Sequence, residues 1–128
     1  MSELMSPCVF CQVPREEIIL SNPIAYVRYD KYPVNPGHAL IIPFRHIESY
    51  FSATESEKRA LWELVEDAKT LLDTKYRPDG YNIGVNVGKA AGQTVMHLHI
   101  HLIPRHSGDV ANPRGGVRGV IPSRQDYK

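Results

Sequence analysis

The chain has 128 residues, enough for one domain around one hydrophobic core and too few for two ordinary ones. A hydrophobic fraction of 42% and a charged fraction of 23% are those of a globular chain, which excludes a disordered or fibrous one. Fifteen Lys and Arg against fourteen Asp and Glu leave a net charge of +1, no broad field for gripping a nucleic-acid backbone.

The chain opens MSELMSPC, without the charged-then-apolar layout of a secretory signal. Its longest apolar runs are four residues, such as 39–42, far short of a membrane span. The only cysteines are Cys8 and Cys11, which excludes a disulfide scaffold; a soluble cytoplasmic protein is expected. They lie in an N-terminal segment, 1–15. Strand-like runs follow at 17–20, 24–29 and 38–43, separated by Ser21-Asn22-Pro23 and by Pro33, Pro36 and Gly37, which favour turns.

A helix is predicted from Thr54, where Thr54 and Glu57 match a capping box that satisfies free backbone N–H groups reciprocally. Leu61, Leu64, Val65, Ala68, Leu71 and Leu72 form its apolar stripe, and Pro78 and Gly80 stop it. At about 1.5 Å per residue it is roughly 35 Å long, enough to cross a small sheet. Two further strands are predicted at 81–87 and 95–103, joined by a loop with glycines at 88 and 92. After Pro104 the chain turns polar, and 106–128 reads as a surface segment. Short strands around one long helix predict an α+β domain with a mostly antiparallel sheet.

The run HLHIHLI places His97, His99 and His101 at alternate positions. On a strand they share one face, roughly 7 Å apart at Cα, while Leu98, Ile100 and Leu102 face the core. A free imidazole titrates near pH 6.5, so a neutral ring is available as nucleophile, base or metal ligand. One reading has the three bind a catalytic zinc, although a span of about 13 Å converges poorly. The other has His99 attack a phosphorus while its neighbours orient it. The preceding loop favours the second: Gly88, Ala90, Ala91 and Gly92 let backbone N–H groups approach an anion, and Gln93 and Thr94 add neutral donors.

GQTVMHLHIHLIPR resembles the signature of the histidine triad (HIT) family, His-φ-His-φ-His-φ-φ with φ apolar. Together with DKYPVNPGHALIIPFRH upstream, the resemblance covers roughly residues 8–110. It implies a domain over 1–110, with an irregular arm at 111–128, and an α+β fold: a five-stranded antiparallel sheet, one long helix and a short one, usually paired as a homodimer. It also implies nucleotidyl hydrolases or transferases acting on nucleoside 5′-phosphate derivatives. His99 then corresponds to the nucleophile that forms a nucleotidyl-histidine, His101 and His38 to supporting histidines, and His97 to a residue bonding main chain or metal. Asn86, Gly92, Gln93 and Thr94 match phosphate-contacting positions. Asp30 matches the position that holds the ribose hydroxyls, although it also suits a turn ahead of Pro33.

Cys8-Val9-Phe10-Cys11 has the spacing of a zinc half-site and equally that of a redox pair or two free thiols. By resemblance to the zinc-containing branch of the family, His46 and His97 complete a structural Cys₂His₂ site with Cys8 and Cys11. Some relatives act on metal-complexed substrates, so a divalent metal with the substrate stays open. Arg105, His106, Arg114 and Arg118 suit either a cover over extra phosphates or a solvated arm. PGHALIIP and IPRHSGD are similar to the diadenosine-polyphosphate-cleaving branch, whereas Asp30 departs from its frequent neutral amide. The expected substrate is an AMP-containing purine nucleotide, with a nucleoside phosphoramidase and a nucleotide-binding regulatory module as the alternatives. Neither membrane nor nucleic acid is an expected partner.

Overall fold

The computed structural model describes residues 8–127, so the first seven residues of the N-terminal segment lie outside the described residues. Strands β1 (Leu20–Ser21), β2 (Ala25–Tyr29) and β3 (Ala39–Pro43) precede helix α1 (Glu55–Tyr76), and β4 (Gly80–Gly84) and β5 (Ile100–Arg105) follow it. They form one antiparallel sheet in the order β1-β2-β3-β5-β4. Short 3₁₀ turns stand beside them at Arg15–Glu17, Tyr50–Ser52 and Lys89–Ala91. Among the described residues no helix is long and apolar enough to cross a membrane.

The predicted capping box closes α1: Thr54 Oγ1 accepts from the Glu57 N–H at 3.1 Å and Glu57 Oε1 from the Thr54 N–H at 2.9 Å. The same carboxylate takes a two-pronged ion pair from Arg45 at 2.7 and 2.8 Å. That guanidinium holds the Glu57 carboxyl down to about 2. The stripe Leu61, Leu64, Val65, Ala68 and Leu72 packs on Ala25, Val27, Ala39, Ile41, Ile100 and Leu102. Alternation along the strands therefore turns Tyr26, Leu40 and Ile42 to the opposite face, where they pack with Phe10.

Three strand predictions shift, and that at 81–87 ends already at Gly84. Residues 15–17 wind into a 3₁₀ turn, with the Glu17 N–H on the Pro14 carbonyl at 2.9 Å, so β1 begins only at Leu20. The last strand runs over Ile100–Arg105 rather than 95–103. Its partner β3 ends at Pro43, which has no N–H for the ladder and whose carbonyl is taken by the His97 ring at 2.8 Å. The triad therefore straddles the strand's start.

Candidate active site

On the sheet face opposite α1, Arg28 pairs across to Leu40 and Leu40 to His101, giving one row over three strands. A cavity of about 510 Å³ opens there, lined by Val9, Phe10, Arg28, Asp30, Leu40, Asn86, Gly92, Thr94, Val95, His99 and His101 together with Lys31 and Tyr32. That size suits a small-molecule ligand.

The hydrogen-bond partners fix which ring nitrogen carries each proton. His99 Nδ1 lies 2.8 Å from the His97 carbonyl, which can only accept, so Nδ1 is protonated and Nε2 keeps its lone pair. Among the described residues no fully buried side-chain nitrogen or oxygen lacks a partner. Since Nε2 bonds no protein group, it is the atom that reaches the cavity. Behind it, the Val34 N–H donates to His38 Nδ1 at 3.0 Å, which leaves the His38 proton on Nε2, 3.0 Å from His101 Nδ1. His101 thereby carries its own proton on Nε2, again without a protein partner and facing the cavity.

Burial is the first cause that lowers the His101 ring, to about 4, with His99 and His38 adding to it and Asp30 opposing. The His38 ring is lowered too, mainly by burial, against the pull of Asp30 at 3.5 Å. Asp30 lines the cavity and also caps its own turn, Oδ1 accepting from the Tyr32 N–H at 2.9 Å. The turn reading of this residue is thus met in the geometry, and its carboxylate stands at the cavity wall.

His97 leaves the row. Its Nε2–H donates to the Pro43 carbonyl, and Nδ1 turns to Cys8 Sγ at 3.3 Å and Cys11 Sγ at 3.5 Å. His46 Nδ1 stands 3.2 Å from Cys11 Sγ, and the ligand atoms of the four residues lie within 4.8 Å of one another. A tetrahedral zinc with Zn–S near 2.3 Å and Zn–N near 2.0 Å sets sulfur and nitrogen about 3.5 Å apart, so this donor set fits the ion. A catalytic zinc shared by three rings does not fit, because His97 points away from His99 and His101.

The loop before the triad differs from a phosphate cradle. The N–H groups of Ala91, Gly92 and Gln93 bond to Lys89 and Gly88 carbonyls at 2.9–3.1 Å, because the segment closes on itself as a 3₁₀ turn. Gln93 is buried outside the cavity lining: its Oε1 accepts from the Gly88 N–H, and its Nε2 donates to the Glu48 and Val95 carbonyls. It holds the loop, while Asn86, Gly92 and Thr94 line the cavity. Nor does the arm reach it. Arg105 is forked onto Asp109 at 2.7 and 2.8 Å, and Arg114 and Arg118 both stack on Tyr127, within 4.9 Å. His106 lines a separate groove with Arg105.

Sequence reasoning missed Phe10 and Arg28. Phe10 sets its ring 5.9 Å from His97 and 5.0 Å from His99. Arg28 had a readable signal, a charge two positions before Asp30 inside an otherwise apolar strand.

A family model described as HIT domain matches residues 12–108. A protein named AP-4-A phosphorylase from Mycobacterium tuberculosis is 32% identical over 78% of this chain, which spans only 54% of that relative's length. A bis(5'-adenosyl)-triphosphatase from Dictyostelium discoideum is 32% identical over 78% of this chain and 67% of its own. The crystal structure of a zinc-bound histidine triad family protein from Mycobacterium smegmatis superposes with a TM-score of 0.73 at 30% identity, covering 82% of this chain and 79% of that one.

Proposed function

The chain belongs to the HIT domain family, and on that premise we propose that it is a hydrolase cleaving dinucleoside polyphosphates at the α-phosphate to release a nucleoside monophosphate. The observation that carries this is the His99 ring, pinned through Nδ1–H to the His97 carbonyl at 2.8 Å so that its Nε2 lone pair faces the cavity. In the first half, Nε2 bonds the α-phosphorus, the bridging P–O bond breaks, and the rest of the nucleotide leaves as a phosphate anion whose departing oxygen accepts a hydrogen bond from His101 Nε2–H. His38 keeps its Nε2–H on His101 Nδ1 and so holds the His101 proton on the Nε2 that faces the leaving oxygen. In the second half water attacks the phosphorus, the P–N bond breaks, His99 recovers its lone pair, and the proton released from the water passes to solvent.

Asp30 would accept from the ribose hydroxyls, and Asn86 and Thr94 would donate to phosphate oxygens, on a loop that Gly92 and Gln93 shape. Cys8, Cys11, His46 and His97 would hold a structural zinc, which fixes the position of the His97 carbonyl behind the nucleophile. Two cysteines outside any disulfide suit a reducing compartment, and we place the protein in the cytoplasm as a homodimer.

The test is His99→Ala. Cleavage of diadenosine tetraphosphate should fall at least about 10³-fold while AMP binding persists, and quenched wild-type turnover should contain a chain heavier by one nucleotidyl group. An active enzyme with no such adduct overturns the mechanism. Faster turnover of adenosine phosphoramidate measured alongside would move the assignment to phosphoramidase.

A further inference from the structure

Arg28 is 5% exposed, yet it forms part of the cavity wall. Nη2 donates to Glu17 Oε1 at 2.6 Å and Nε to the Tyr29 carbonyl at 3.4 Å. Nη1 bonds no group among the described residues. Because no fully buried polar side-chain atom there lacks a partner, Nη1 opens into the cavity. A buried cation held by one carboxylate, with donors left over, calls for an uncharged acceptor rather than another anion, since Glu17 already balances its charge.

The register says which part of a nucleotide meets it. Arg28 stands two strand spacings, about 10 Å, from His101 on the same face. With the α-phosphorus at His99 and the ribose at Asp30, two residues along from Arg28, only the base extends that far. Phe10, Leu40 and Val95 supply apolar walls for its two faces. A guanidinium carries donors only. It matches the adjacent O6 and N7 acceptors of guanine, whereas adenine sets an amino donor beside N7.

We propose that Arg28 reads the base edge and that this pocket prefers a guanine nucleotide to an adenine one, an inference that rests on the nucleotide-site reading above. Glu17 is the positioning residue, fixing the fork's orientation.

Calorimetric titration of the full chain with GMP and with AMP tests it. GMP should bind about ten-fold tighter or more. Arg28→Lys keeps the ion pair and loses the fork, so the preference should collapse to within about two-fold because GMP affinity falls much further than AMP affinity; Arg28→Leu should do the same if it folds by circular dichroism. A purely structural Arg28–Glu17 pair would leave the GMP-to-AMP ratio unmoved in both variants and overturns the proposal. So does equal or tighter AMP binding by the wild type, with the nucleotide site itself upheld. Binding of neither nucleotide overturns that site along with it.

Discussion

His101 stays neutral because it is lodged among His38, His99 and the sheet, and a charged ring there would lose its hydration. Its folded-state pKa of about 4 lies below the unfolded value of 6.5. The unfolded chain therefore binds more protons between those values, so this contribution is complete above pH 6.5 and is lost as pH falls toward 4. The loss between pH 7 and pH 5 is on the order of 1 kcal/mol, once solvent screening of a half-buried ring is allowed for. His38 and His97, both lowered first by burial, act with the same sign. Urea denaturation across this range should show stability falling toward pH 5. His101→Asn should flatten the slope without removing it, and an unchanged slope would mean that His101 is not the group that titrates.

At the scale of elements, the turn before β3 decides where His38 stands. Gly37 has φ of +89°, and a Cβ there would meet Tyr76 Cδ2 at 2.8 Å, at the end of α1. Gly37→Ala should therefore cost about 1–3 kcal/mol, from left-handed strain plus a clash with a ring anchored on the helix. Its kcat should drop as well, because the next residue is the one that bonds His101. Thermal melts beside steady-state rates check both, and a melt within a degree of wild type refutes the first. Much of this architecture was legible in the sequence: the Thr54–Glu57 cap, the stripe of α1 and strands at 24–29 and 38–43 all follow from local periodicity. What local patterning could not supply was competition for partners. Pro43 hands its carbonyl to the His97 ring, the 88–93 amides bond one another, and Arg114 and Arg118 stack on Tyr127. Each depends on which group arrives first in space. The pairing of Cys8 and Cys11 with His46 and His97 came from family resemblance, since CxxC spacing alone left three chemistries open.

For the molecule as a whole, the Cys8–Cys11 knuckle is the clasp between the N-terminal segment and the site. Phe10 lies between the two cysteines, packs edge-on to His99 at 5.0 Å, and accepts the Tyr26 hydroxyl on its carbonyl at 2.6 Å. Burial, and then the neighbouring Cys8, raise the Cys11 thiol, which favours its protonated form, a weak hydrogen-bonding group, in the absence of a dication. A zinc ion binds thiolate, so it would release the Cys11 proton and couple its binding free energy to folding. The purified protein should carry one zinc per chain, and chelation should lower Tm by at least about 10 °C. It should also weaken AMP binding, because the Phe10 wall and the His97 carbonyl behind His99 both depend on the clasp. Cys11→Ser should reproduce both losses in metal-replete buffer, and chelation should add little to it. A zinc-free chain that melts with the loaded one and binds AMP equally well would reduce the four residues to a fortuitous cluster, leaving hydrogen bonds alone to position His99.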